Sequence, residues 1–335
     1  MTPRRDASPS DRFAIGIDLG GTNLKVALVE RGRGVIARTS IPSNSGGGPG
    51  AVLDQMAAGT DEVLEALPAR ATVAGVGVGA PGAVSLDRQT VRKPPNFGGW
   101  EVVNVSTELR QRLQHVPLDG PILVDNDANV AGLGSAFYGA GIPFDSFVMV
   151  TLGTGVGGAI VVNKRLFRGM TGAAGEIGHV SIDFEGPYSR AGVPGAIEAY
   201  LGQRYLSHHA RYQLLSRETN LHATAGQELK DMDPRQLHSA AEAGDQAAIE
   251  VLAWAGHKLG VMLGSVVNLL DIRKIVVGGG TSQAGAYLLD PARESLLRHT
   301  MPAMMRGVEL VRESRGNEVA LLGAARLVFE HEEDA

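Results

Sequence analysis

The sequence predicts an α/β protein of two units, and three observations carry that reading. Apolar, β-branched runs alternate with stretches of helical periodicity along most of the chain. Two glycine-turned hairpins of one design recur far apart, at residues 13–30 and 147–163. The length of 335 residues also exceeds the roughly 100–200 residues that one domain usually holds.

Taken in order, "FAIGIDLGGTNLKVALVE" (13–30) joins two apolar runs through Gly-Gly-Thr, a hairpin signal. "VAGVGVGAPGAV" (73–84) reads as a buried strand entering a turn. "PPNFGGW" (94–100) follows, then "PILVDNDANVAGLG" (121–134), a short strand whose polar tip passes into a helix with Asp125 or Asp127 as its N-terminal acid. "FVMVTLGTGVGGAIVVN" (147–163) repeats the hairpin grammar. It is uncharged from 146 to 162, yet its glycine-rich centre and a length short of the roughly 20 residues of a membrane span make it strand, turn and strand. Between 245 and 270, Ile249, Leu252, Gly256, Leu259, Leu263, Val266 and Leu270 fall at steps of three and four, the stripe of one long core-facing helix. "KIVVGGGTSQAG" (274–285) reads as strand, glycine turn and helix start, and a last helix covers about 321–329. The first twelve residues, "MTPRRDASPSDR", lack the apolar core of a signal peptide and read as a frayed tail.

Composition excludes several classes. A net charge of -5 gives no footprint for nucleic acid. The absence of cysteine removes disulfides and thiolate metal sites together. A soluble, cytoplasmic protein that contacts no membrane is expected.

The chemistry concentrates at the glycine turns. Gly20 and Gly21 expose backbone N–H groups and Thr22 adds a hydroxyl, a concavity suited to phosphate oxygens, or else simply a tight hairpin. Asp18, at the strand end, suits a magnesium ion held through water. No Gly-Lys-Ser/Thr follows, so this is not a P-loop. "TLGTGVGG" (151–158) offers a second set of donors. "GGGTSQAG" (278–285) offers a third, at a strand-to-helix junction where an adenosine phosphate or ribose would lie. Glu176 and His179, in "TGAAGEIGHVSIDFEGP" (171–187), stand three apart behind a glycine-rich turn. Alone they are open to four readings: metal ligands, a proton relay, hydroxyl grips or surface residues. Asp127 is the candidate general base, with a helix cap as the bland alternative.

In the order "GIDLGGTNLKVALV", "GVGAPGAV", "PNFGGW", "DNDANVAGLG", "TLGTGVGGAIVVN", "GAAGEIGHV", "EAYLG" and "VVGGGTS", the chain resembles the ROK family (repressor, open reading frame, kinase) from residue 13 to about 329. The resemblance implies a two-lobed hexokinase/actin-like (ribonuclease H-like) fold closing over ATP and a sugar. A small lobe would comprise 13–126 and about 318–335; a large lobe, 127–317, would carry the second phosphate hairpin, the sugar segments and the adenosine motif. It places Asp18, Gly20, Gly21, Thr22 and Lys25 at the first phosphate turn, and Gly153, Thr154, Gly155 and Gly157 at the second. Gly278, Gly279, Gly280 and Thr281 would lie by the adenosine. Asp127 would be the catalytic base, and Asn96, Asn126, Glu176, His179 and Glu198, with Asp127, the sugar contacts. Family members often carry Glu where this chain has Asp125.

Many members also hold zinc on that histidine and three cysteines of a C-x-C-G-x-x-G-C-x-E loop. Here "SRAGVPGAIE" (189–198) keeps the frame, but Ser189, Ala191 and Ala196 occupy the cysteine positions. Tetrahedral zinc needs four ligands, so no zinc site is expected, and Ser189 or Tyr188 is expected to help orient His179 instead. The activity implied is ATP- and Mg²⁺-dependent phosphorylation of a hexose, glucose first. Mannose, fructose, allose, an N-acetylated aminosugar, or polyphosphate as donor are the alternatives. ROK repressors share this body but carry a helix-turn-helix ahead of it, and only residues 1–12 precede the hairpin here. Family members are commonly homodimers.

Overall fold

Each glycine-turned segment forms the expected hairpin. β1 (Phe13–Leu19) pairs antiparallel with β2 (Asn23–Glu30), from Phe13 opposite Glu30 to Leu19 opposite Leu24. The structure, a computed structural model, describes residues 12–334, so the tail expected at 1–12 lies, Arg12 apart, outside the described residues. β3 (Gly34–Pro42) lies beyond β2, and α1 (Gly48–Leu64) follows with proline in its first turn. β4 (Val73–Ala80) runs parallel to β1 and is buried at every residue, as a central strand covered on both faces must be. A small sheet of β5 (Ala83–Val84), β6 (Thr90–Arg92) and β7 (Val102–Asn104) precedes α2 (Val105–Arg112). β8 (Ile122–Asn126) then completes the order β3-β2-β1-β4-β8 and runs directly into α3 (Asp127–Tyr138).

The second sheet repeats this plan. β9 (Phe147–Leu152), β10 (Val156–Val162) and β11 (Arg165–Leu166) are followed by the helices α4 (Glu198–Leu201), α5 (Gln203–Leu214), α6 (Leu221–Thr224), α7 (Pro234–Glu242) and α8 (Gln246–Leu270). β12 (Lys274–Gly278), α9 (Ala286–His299) and β13 (Glu309–Arg312) close the order β11-β10-β9-β12-β13, with β9, β12 and β13 parallel. Asp245 caps α8 by accepting from Ala248 N–H (3.1 Å). The periodic stripe of α8 is buried at Leu252, Gly256, Leu259, Leu263 and Val266, and Ala255, Gly260, Met262 and Val267 are buried beside it. More than one face of α8 is covered. α10 (Glu318–Asp334) ends the described chain.

The chain divides into two compact units: residues 1–145, 160–174 and 317–335, and residues 146–159 with 175–316. The boundary expected between 126 and 127 is therefore corrected, because α3 belongs to the first unit. Val130 and Leu133 of α3 share a core cluster with Ala324 and Leu327 of α10. The two helices cross backbone to backbone: a Cβ added at Gly323 would fall on the Val130 carbonyl oxygen, and one at Gly134 on that of Val319.

Candidate active site

In the first unit the β1–β2 turn is Gly20, Gly21 and Thr22, with Gly21 and Thr22 exposed. Packing leaves Gly21 open: an added Cβ would meet nothing nearer than Asn96 Cβ, at 3.9 Å. The turn that suits phosphate thus lies beside the Asn96 predicted for the sugar. Asn96 holds a left-handed φ of 70° on a loop anchored by its neighbours. Phe97 and Trp100 are buried edge to face, centroids 5.7 Å apart, and Trp100 Nε1 donates to Val91 O (3.4 Å).

Asp18 and Lys25 face each other directly across the ladder and form an ion pair at 3.3 Å. Burial pushes the Asp18 carboxyl up, and Lys25 opposes that shift through its charge and hydrogen bond. One carboxylate beside the turn expected to hold phosphate fits a hydrated magnesium ion, which takes few protein ligands. Among the described residues no group of three or more His, Cys, Asp or Glu is placed to cage a metal.

The β8–α3 junction carries the next set. Asp127 is the acid in the first turn of α3, as expected, but neither it nor Asp125 caps the helix. Asn126 does, its Oδ1 accepting from Ala128 N–H (2.9 Å) and Asn129 N–H (3.4 Å) while its Nδ2 donates to Gly82 O (3.3 Å). The cap holds both ends of the amide predicted to contact sugar. Asp127 is the first helical residue and is exposed, one carboxylate oxygen accepting from Ala128 N–H (2.8 Å). Asp125 is fully buried and meets Arg88 and Arg168, which sequence reasoning missed because neither lies near it in the chain.

In the second unit the β9–β10 turn is Gly153, Thr154 and Gly155, with Thr154 exposed. Glu198 lies directly beneath it. Its Oε2 accepts from Val156 N–H (3.3 Å), and any side chain at 155 would collide with that oxygen. Gln203 N–H donates to Gly153 O (3.0 Å), tying the start of α5 to the same turn. Thr151, at the end of β9, pairs with Gly278 of β12, so the third glycine motif ends beside the second. Within it Gly280 faces open space, whereas Thr281 is buried. Next to that motif is a cavity of 580 Å³ that no sequence signal marked, lined by His238, Glu242, Gln283, Gly285, Tyr287 and Arg293. Its walls come from three separated stretches of chain.

The "GEIGH" segment lies along β10, where Gly158 and Gly178 permit contact that any Cβ would block. Ile177 is buried, leaving Glu176 and His179 half-exposed with Oε2 and Nε2 3.8 Å apart. Neither Tyr188 nor Ser189 orients the imidazole as expected. His179 Nδ1 is buried without a hydrogen-bond partner, while Ser189 Oγ accepts from Val193 N–H (3.3 Å) in its own loop and Tyr188 is exposed. The loop is fastened by Ile182 N–H donating to Gly195 O (2.9 Å), Gly195 N–H donating to Pro187 O (2.8 Å), and Tyr200 Oη donating to Asp183 Oδ2 (3.2 Å). Burial first, then the charge and hydrogen bond of Asp183, push the Tyr200 hydroxyl up to about 12.

The geometry therefore supplies backbone and hydroxyl donors for phosphates on both hairpins, an exposed carboxylate at a helix start, and a Glu–His pair suited to hydroxyl groups. Comparisons with known proteins point the same way. A model of the ROK family matches residues 14–331. The chain is 30% identical over 325 residues to the glucokinase of Halalkalibacterium halodurans, covering 96% of this chain and 97% of that one. It is 29% identical over 316 residues to the glucokinase of Thermotoga maritima, covering 94% and 97%. A crystal structure of a ROK family glucokinase from Streptomyces griseus in complex with glucose and AMPPNP matches with a TM-score of 0.82 at 28% identity, over 95% of this chain and 99% of that one.

Proposed function

Because the chain belongs to the ROK family, we propose that it is a sugar kinase that moves the terminal phosphoryl group of ATP to the 6-hydroxyl of a hexose, glucose before others. The observation that carries this reading is the β8–α3 junction, which leaves Asp127 exposed at a fixed helix start. Likeness to relatives named glucokinase over nearly the whole chain supports it.

Asp127 accepts the hydroxyl proton as the sugar oxygen bonds to phosphorus and the bond to the leaving ADP oxygen breaks. The sugar set is Asn96, Asn126 and Asp127 in the first unit and Glu176, His179 and Glu198 in the second. Glu198 acts in part through the second phosphate turn, whose Val156 N–H it already holds. Gly20, Gly21, Thr22 and Lys25, with Gly153, Thr154, Gly155 and Gly157, bind phosphates; Gly278, Gly279, Gly280 and Thr281 bind the adenosine, with the cavity beside Gln283 as room for its base. Asp18 would hold magnesium through water, and that ion would offset charge on the phosphates. Two chains pair as a homodimer, which light scattering at twice the chain mass would confirm and a single-chain mass would reject.

A coupled assay over a panel of hexoses and N-acetylated aminosugars, with ATP and then polyphosphate, tests donor and acceptor together. Asp127→Asn should bind sugar as the wild type does and lose about 10²–10⁴ in kcat. Turnover at the wild-type rate would remove Asp127 from the chemistry.

A further inference from the structure

Asp125 stands two residues before the base, at the end of β8, with its side chain fully buried. A buried carboxylate is costly unless donors and charges meet it, and here four groups do. Oδ1 accepts from Asn126 N–H (2.8 Å) and Asn129 Nδ2 (2.9 Å). Oδ2 lies 3.0 Å from Arg168 Nε and 3.3 Å from Arg88 Nε. The first pair binds the carboxylate to the opening turn of α3, and the second binds it to two distant stretches of the first unit.

Both arginines are themselves held. Arg168 donates from Nη1 to Leu86 O (2.8 Å) and from Nη2 to Ser85 O (3.0 Å). Arg88 adopts a left-handed φ of 57°, its carbonyl accepts from Val124 N–H (2.8 Å), and its Nη1 lies 3.5 Å from Glu330 of α10. One carboxylate thus gathers the turn at 85–88, β8, the segment after β11 and the first turn of α3. Apolar replacements of like shape usually equal or exceed such clusters in stability, so stability alone does not account for it. What an apolar cluster lacks is direction: it cannot hold the step from Asn126 to Asp127 at one position through charge and hydrogen bonds.

We propose that Arg88 and Arg168, acting through Asp125, are positioning residues for the general base Asp127. The proposal rests on the kinase reading above. Arg168→Gln and Asp125→Asn should each lower kcat by about 10- to 100-fold while the sugar KM moves less than about threefold. Asp125→Glu, which keeps the charge, should recover most of the rate. The double variant should fall no further than the worse single one, as residues acting as one unit do. Amide exchange needs no turnover: Ala128 and Asn129, whose N–H groups bond to Asn126, should exchange faster in Arg168→Gln while amides of α8 stay unchanged. Should Arg168→Gln fail to fold, Arg88→Gln carries the same test, its side chain being 20% exposed. Wild-type kcat in these variants, strictly additive losses, or unaltered exchange at Ala128 and Asn129 would overturn the proposal. If the unaltered chain phosphorylates no sugar, the kinase reading fails and the exchange measurement alone decides whether the clamp exists.

Discussion

Burial holds the Asp18 carboxyl above its ordinary value of 3.8, with Lys25 pulling the other way. An acid whose folded pKa is raised favours folding only while protonated, below its unfolded value, and that contribution is lost as pH rises through the folded pKa. Ionising Asp18 therefore works against the fold, a cost that its proposed place at the phosphate turn would explain. Asp18→Asn should leave the Tm at pH 7 unchanged or higher while kcat falls about tenfold or more; a lower Tm would show that the pair with Lys25 dominates. Tyr200, also raised, follows the same rule at high pH. Its contribution is complete below pH 10.0 and is lost as pH climbs to about 12, so melts across that window should fall more steeply for the wild type than for Tyr200→Phe. Equal slopes would exclude it. At this scale the sequence exposed Asp127 and Asn96 through motif and spacing, but not the cap. Asn and Asp cap about equally well, so only geometry assigned the role to Asn126 and freed Asp125 to meet two arginines.

The crossing of α3 and α10 places glycine against carbonyl oxygen at Gly134 and Gly323. Gly323→Ala must push the helices apart or distort one of them, at about 1–3 kcal/mol, the usual cost of overpacking. A clear drop in Tm is expected, with kcat falling too because α3 begins at Asp127; an unchanged melt would mean that the crossing relaxes freely. Elements themselves were legible. Both hairpins, the strand into α3 and the long α8 follow from periodicity and turn residues, since those signals are local. The burial of α8 on more than one face was not, because Gly260 and Ala255 are ambiguous in a stripe until a partner covers them. The boundary at 126/127 failed for a related reason: α3 packs chiefly on α10, which lies near the far end of the described chain.

Over the whole molecule, the two five-stranded sheets share one order, an antiparallel hairpin followed by two parallel strands, and the matching hairpins in the sequence already suggested halves of related plan. The first unit nonetheless needs three separate stretches of chain. Leu321, Leu322, Ala325, Val328 and Phe329 of α10 share a buried cluster with Ala14, Ala27, Val29 and Ala74. Ending the chain before Glu318 should therefore unfold the first unit while the second keeps β9, β12, β13 and its helices, giving a species with protected amides in α8 and none in β1 or β4. Retained protection in β1 would show that the helix is dispensable. The discontinuity also sets an order of events at the ribosome, where domains tend to fold as they emerge. The second unit can be complete once residue 316 is free, but the first must wait for residues 317–334. Until that moment the nascent chain carries an unfinished first unit, and kinase turnover cannot begin before α10 docks.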